Sequence, residues 1–194
     1  MRYPADHKDR VREQIVRAAA RRFRGHGSER VPIARLMRDL GLTHGGFYRH
    51  FKGKEQLLEE AVAESFAQMR AHLLEVAEQA PRGRELDAII DTYLSERHCA
   101  NAAEGCPVAA LATETARQRP RVRRAFDAGV RAHASAFARF MPGRTDAERE
   151  RNGVVLFAGM AGVLNAARAT PDEALRRTIL EAGRTFHKRA VRAS

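Results

Sequence analysis

Residues 32–54 read PIARLMRDLGLTHGGFYRHFKGK, and the reading of this stretch decides the fold. Ile33, Leu36, Met37 and Leu40 recur at helical spacing and make one apolar face. Pro32 suits the first helical position, where a missing N–H leaves no helical bond unmade. Gly41 can take the positive φ that ends a helix. Leu42 offers an apolar plug for the turn, and Thr43 is a good N-cap for a second helix over 44–50. Phe47 and Phe51 lie four apart and pack inward, while Thr43, His44, Tyr48 and Arg49 point outward. Gly45 and Gly46 each cost a helix about 1 kcal/mol relative to alanine. That cost suits a backbone pressed against another surface, either DNA or a neighbouring helix. Two short helices around a tight turn, followed by an aromatic and basic run, is the layout of a helix-turn-helix whose second helix enters the major groove.

Charge placement is an independent check. The chain has 35 Lys and Arg against 24 Asp and Glu, net +11. Residues 1–54 hold 14 basic and 5 acidic side chains, and the other 140 residues hold 21 and 19. The excess charge therefore sits on the segment that carries the motif. Such a cluster attracts phosphates and makes binding salt-dependent. A GC-rich genome accounts for many arginines, but not for acids being scarce only in the first quarter.

At 194 residues and 44% apolar content the chain can form one large domain or two small ones with a real core. It is rich in Ala, Leu, Glu and Arg, lacks Trp and has no clean strand, so an all-α fold is expected. No apolar run follows the basic start, so no secretory signal is read. The longest apolar stretch, 153–167, is too short for a bilayer span. Two cysteines make no disulfide framework, and a cytoplasmic protein with reduced thiols is the simplest expectation.

About nine helices follow one another. The first covers 8–24, with Val11, Ile15, Ala19 and Phe23 in one stripe. After the helix-turn-helix, a long helix covers 54–79, with Leu58, Val62, Phe66, Met69, Leu73 and Val76 in line. Further helices are predicted over 85–98, from Pro107, over 120–141, over 146–168 and over 171–189. The 120–141 helix carries Val122, Phe126, Val130, His133, Phe137 and Phe140 at spacings of 4, 4, 3, 4 and 3. The expected organisation is a three-helix DNA-reading unit over 1–53 and a larger helical effector-binding and dimerisation bundle over 54–194, with the helix from Lys54 joining them.

The run GLTHGGFYRHFKGKEQLL (41–58) resembles the recognition helix and following junction of the TetR family of bacterial repressors. The resemblance rests on the glycine after the first helix, the Phe-Tyr pair, the His-Phe and Lys54. It is close over 8–62 and continuous but weaker beyond, and falls within a subgroup carrying LTHGGFY. Many members have Ser or Thr just before the first of these two helices, where this chain has Arg30-Val31-Pro32. The resemblance implies a homodimeric regulator, with Thr43, His44, Gly45 and Gly46 approaching base edges and Tyr48, Arg49, His50, Lys52 and Lys54 positioning the backbone of an inverted-repeat operator. It also implies that the last two helices pair across a two-fold axis. Ala158, Gly159, Gly162, Val163 and Ala166, then Leu175, Ile179, Ala182 and Phe186, are the expected dimer face.

The expected effector region draws on other residues. Cys106, in Gly105-Cys106-Pro107, falls at a probable N-cap, where unpaired N–H groups and the helix dipole favour a thiolate. The subgroup often has GCP here and resembles repressors that respond to thiol-reactive compounds. The competing reading is a small buried residue that only packs. His133 lies on an apolar stripe with Phe126 and Phe137, and Phe66, Met69 and Tyr93 are the expected opposing walls; a core histidine is the plainer reading. His98, Cys99 and Cys106 fit no standard zinc spacing, so no metal or other cofactor is expected. Two other functions compete with this one: a cysteine enzyme using Cys106 with His98 or His133 as base, and an effector-independent DNA-binding activator.

Overall fold

The apolar stripe of the first helix is buried as its spacing predicts: Ile15, Ala19 and Phe23 are fully inaccessible along α1 (Ala5–His26). The structure, a computed structural model, describes residues 5–193. The outer ends of the two predicted units, 1–4 and 194, lie outside the described residues. All regular secondary structure among the described residues is helical.

The helix-turn-helix is α2 (Ile33–Asp39) and α3 (His44–Phe47). Pro32 sits at the N-cap rather than the first turn, and its carbonyl accepts from the Arg35 and Leu36 N–H groups, both at 3.1 Å. No side chain caps α2, in keeping with Arg30-Val31-Pro32 replacing the usual hydroxyl. Gly41 has φ 70°, the left-handed conformation that lets the chain reverse, and the Leu42 N–H returns to the Met37 carbonyl at 2.9 Å. Thr43 caps α3 by accepting from the Gly46 N–H at 3.2 Å. α3 is shorter than the 44–50 expected: the chain passes into a turn at Tyr48, with the His50 and Phe51 N–H groups both bonding the Phe47 carbonyl.

The rest of the chain follows as α4 (Lys54–Gln79), α5 (Glu85–Tyr93), α6 (Glu96–Ala100), a 3-10 turn (Ala102–Glu104), α7 (Pro107–Thr115), α8 (Pro120–Phe137), a second 3-10 turn (Ala138–Phe140), α9 (Asp146–Ala169) and α10 (Glu173–Ala193). The single helix expected over 85–98 is divided. Ser95 takes an extended conformation and caps α6 by accepting from the His98 N–H, so the local hydroxyl starts a new helix. The 120–141 helix likewise closes in a 3-10 turn.

Two apolar clusters run along α4. The first joins α1, α2 and α3 to Leu57, Leu58, Val62 and Phe66, and takes in Leu111 of α7 and Val122 of α8. The second begins at Met69 and Leu73 and includes Tyr93, Cys106, Phe137, Phe157, Met160 and Leu180. The change of core therefore falls between Phe66 and Met69, a few turns beyond Lys54. α4 and α8 cross closely where Gly129 meets the Phe66 ring; a methyl group there would overlap it.

Candidate nucleic-acid interface and regulatory core

Phe47 and Phe51 are buried and stacked, ring centroids 5.3 Å apart, and they set which side of α3 faces out. The opposite side exposes Thr43, His44, Gly45, Tyr48, Arg49 and Lys52. Tyr48 is 64% exposed although it is a large aromatic, and it is held edge-on by Phe47 and His44, with centroids at 5.2 and 5.8 Å. No salt bridge occupies Arg49 or Lys52 among the described residues, and the same holds for exposed Arg30, Arg35 and Arg38. These three arginines were not singled out in the sequence, because an arginine-rich chain gives no signal of which cations remain unneutralised.

Three of the expected DNA-contacting residues are partly occupied by the fold. His50 is half-buried: its carbonyl accepts from Arg12, and its Nδ1 is buried without a partner. Burial and the cations Lys8, Arg12 and Arg49 hold its pKa below the ordinary histidine value. His50 Nδ1 is therefore turned away from solvent, and only the other edge of the ring is left for a phosphate contact. Lys54 reaches the Glu29 carbonyl at 3.4 Å, bridging the α4 start to the loop before α2. Gly46 has Thr43 Oγ1 3.3 Å from where a Cβ would stand, so its small size serves the cap. Gly45 meets nothing within 4 Å and is open.

The Gly105-Cys106-Pro107 run is a junction. His98 Nδ1 lies 2.6 Å from the Tyr93 carbonyl, and His98 Nε2 accepts from the Cys106 N–H at 3.0 Å. That pairing fixes a neutral ring with its proton on Nδ1. Burial pushes the His98 pKa down to about 4. Gly105 packs under this ring and the Arg168 guanidinium, both within 3 Å of where a Cβ would stand, which explains the glycine. Arg168 donates to the His98 and Cys99 carbonyls at 2.8 and 3.1 Å, fastening α9 to α6.

Cys106 is the N-cap of α7, as expected, but its thiol is not activated. It is 4% exposed, and burial raises its pKa, outweighing the lowering by the Tyr93 hydroxyl and by the Val108 and Ala109 N–H groups. The expectation of a thiolate is corrected on that ground: the helix-end dipole is smaller than the desolvation of an anion in an apolar core. Neither histidine offered as its base is suited. His98 has both nitrogens engaged by backbone groups. His133 is packed among Phe137 and Phe157, centroids at 4.6 and 4.3 Å, with its pKa lowered by burial to about 4.

The residues expected to wall one effector pocket divide between places. Phe66 and Phe126 stack edge-to-face at 5.1 Å in the cluster shared with α1. Tyr93, His133 and Phe137 gather around Phe157 in the second core, where the Tyr93 hydroxyl lies beside the Cys106 thiol and His133 Nδ1 is buried without a hydrogen-bond partner among the described residues. Met69 and His98 instead line a half-open cavity of about 630 Å3 between α4, α5 and α6.

On α9 and α10, Ala158, Gly162, Ala166, Leu175, Ala182 and Phe186 are exposed, Phe186 by 69%, together with Val155. Gly159, Val163 and Ile179 face partly into the chain itself: Gly159 lies against the His187 ring, Val163 against Gly183, and Ile179 against the second core. Among the described residues no helix is long and apolar enough to cross a membrane, and no group of three or more His, Cys, Asp or Glu is placed to hold a metal.

A helix-turn-helix head on a helical body defines a class of DNA-binding regulators, and comparison with known proteins places the chain within it. The sequence profile described as "Bacterial regulatory proteins, tetR family" matches residues 15–61. The HTH-type transcriptional regulator LmrA of Bacillus subtilis is 30% identical over 128 residues, covering 65% of this chain and 68% of LmrA. An HTH-type transcriptional regulator of Mycobacterium tuberculosis is 34% identical over 116 residues, 59% of this chain, and the match spans 58% of that relative's length. The chain belongs to the TetR family. Two solved structures share its fold: a TetR-family regulator from Cytophaga hutchinsonii (TM-score 0.76, 17% identity, 94% of this chain and 95% of that one) and the reduced form of E. coli NemR (TM-score 0.74, 18% identity, 92% and 95%).

Proposed function

We propose that the protein is a one-component transcriptional repressor that binds an inverted-repeat operator as a homodimer and is released by a small-molecule effector. One observation carries this reading: α3 rests on buried Phe47 and Phe51, and Thr43, His44, Gly45, Tyr48 and Arg49 beside and along it are exposed to solvent. A large exposed aromatic beside unpaired cations on so short an element fits a groove and its phosphates. Thr43, His44, Gly45 and Gly46 approach base edges; Tyr48, Arg49, Lys52 and Lys54 position the backbone.

Dimerisation through α9 and α10 brings two such heads to successive major grooves. The exposed Val155, Ala158, Gly162, Ala166, Leu175, Ala182 and Phe186 support that face. A cytoplasmic location follows from the reading, since the operator is there. Release by modification of Cys106 is the less favoured route, because the thiol is buried and protonated at rest.

The test is fluorescence anisotropy of purified protein on fragments of its own promoter region against random duplex. A preference for one short inverted repeat is expected, and Tyr48→Ala is expected to weaken it about tenfold or more while leaving the dimer intact. Equal affinity for all duplexes would rule out a specific regulator, and unchanged affinity in Tyr48→Ala would rule out this docking face.

A further inference from the structure

The cavity between α4, α5 and α6 is lined on α4 by Met69 and Val76, with Gln68 and His72 beside them, and elsewhere by polar groups, and its charge is unbalanced. Arg97 stands at its edge, exposed and without an ion pair among the described residues. The acid that lines it, Glu104, is already held by Arg21 of α1 at 2.7 Å. His98 adds no charge, since both ring nitrogens are engaged by backbone groups. Behind Gln68 lies a further cation. Arg24 is 3% exposed, donates from Nη2 to Gln68 Oε1 at 2.9 Å and from Nε to the Ala103 carbonyl at 2.8 Å, and leaves Nη1 buried with no partner. A cleft with an apolar wall, an unpaired guanidinium at its mouth and an under-satisfied one behind it is suited to an anion with a hydrocarbon part.

We propose that this cleft binds a small amphipathic carboxylate, its carboxylate paired with Arg97 and its hydrocarbon laid along Met69 and Val76, and that its occupancy is relayed to the DNA-reading head through Gln68 and Glu104. This rests on the reading of the protein as an effector-controlled regulator and names the effector's chemistry. The relay follows from connectivity. Gln68 and Glu104 line the cleft, and the same two side chains hold Arg24 and Arg21 on the C-terminal half of α1. α1 packs directly on α2 and α4 in the head. A carboxylate seated on Arg97 repels Glu104 across the same cleft and loosens its pairing with Arg21, which does not itself line the cleft, so the ligand favours a different seat of α1 on the body. A ligand shifts an equilibrium only by such a differential contact.

Octanoate is the probe, titrated by calorimetry into the purified protein without DNA, with octan-1-ol as the uncharged control. The expected result is saturable binding of octanoate, little or none of octan-1-ol, and about tenfold weaker octanoate binding in Arg97→Ala, whose side chain is exposed and whose melting temperature checks that the fold survives. Absence of octanoate binding, equal binding of the alcohol, or full binding by folded Arg97→Ala would each overturn the site. In the operator assay, octanoate is expected to weaken binding of the wild-type protein, and Arg21→Ala to bind octanoate yet show at least about threefold less response. An undiminished response in Arg21→Ala overturns the relay. Because the calorimetry contains no DNA, octanoate binding by a protein that prefers no operator supports the site and removes the regulator reading alone; operator binding without octanoate binding does the reverse.

Discussion

Gly45 and Gly46 are adjacent and equally costly to a helix, yet they answer to different demands. Gly46 is enclosed by Thr43 Oγ1 and Met37, so the protein itself asks for a small residue there. Gly45 faces open space, and nothing within the chain explains it. Alanine at 45 removes up to about 1 kcal/mol of helix cost. Gly45→Ala is therefore expected to hold or raise the melting temperature while lowering operator affinity, because the added methyl stands on the face that meets the groove. Thermal unfolding and anisotropy on the same sample give both numbers, and an operator affinity equal to wild type would show that the backbone at 45 does not approach DNA closely. Thr43→Ala is the converse case. Its oxygen caps α3, so the loss of about 0.5–2 kcal/mol is structural, and weaker DNA binding by this variant must be judged against its lower stability.

Helices whose apolar residues repeat at 3 and 4 were legible in the sequence because periodicity records a buried face directly: α1 and α4 bury most of their predicted stripes, while α8 buries Val122, His133 and Phe137 and leaves Phe126 and Val130 half-buried. Local hydrogen bonds were harder to foresee. The break at Ser95 turns on one hydroxyl, and the shortness of α3 on the two N–H groups that share the Phe47 carbonyl. Gly-Cys-Pro shows the N-cap position of Cys106 but leaves a thiolate and a buried packing residue as alternatives, and the burial that favours the second comes from α5 and α9, far off in the chain. Two predictions belong to the elements. Gly129→Ala gains helix propensity but drives a methyl into the Phe66 ring where α8 crosses α4. Overpacking of that kind costs about 1–3 kcal/mol, so a net fall of a few degrees in melting temperature is expected, and a rise would mean the ring can yield. The second concerns His98 and His133, both lowered to about 4. Between that value and the unfolded value of about 6.5 the unfolded chain binds protons that the folded chain does not, so stability is complete above that range and declines as pH falls through it. Each histidine adds a slope of at most about 1.4 kcal/mol per pH unit. Urea midpoints are expected to drop from pH 7 to pH 4.5, and less steeply in His133→Leu, which has one such group fewer; parallel curves for the two proteins would place the proton uptake elsewhere.

At the scale of the molecule, the charge and the apolar surface are segregated to opposite ends of the chain. The first 54 residues hold most of the excess of Lys and Arg, and among the described residues the exposed large apolar side chains beyond Tyr48 are Val154, Val155, Leu175 and Phe186 on α9 and α10. Exposed apolar side chains grouped on two adjacent helices are unusual for a surface that stays in water. A groove beside Phe186, lined also by Thr178, Ala182 and Thr185, leaves room for side chains of a second copy. The two features have separate consequences. Phe186→Glu is expected to shift the sedimentation coefficient from dimer to monomer with little change in helix content, because Phe186 is 69% exposed and its ring meets that of its neighbour His187 edge-on. If the head reads DNA only weakly alone, the monomer loses the gain from linked half-sites, commonly a hundredfold or more, although every residue of α3 is untouched. The salt dependence then separates the contributions. The slope of log affinity against log salt counts phosphates neutralised, so a monomer on a half-site should show about half the wild-type slope. A Phe186→Glu protein that remains dimeric, or a monomer that retains the full slope and affinity, would remove α9 and α10 from the account of how the heads are paired.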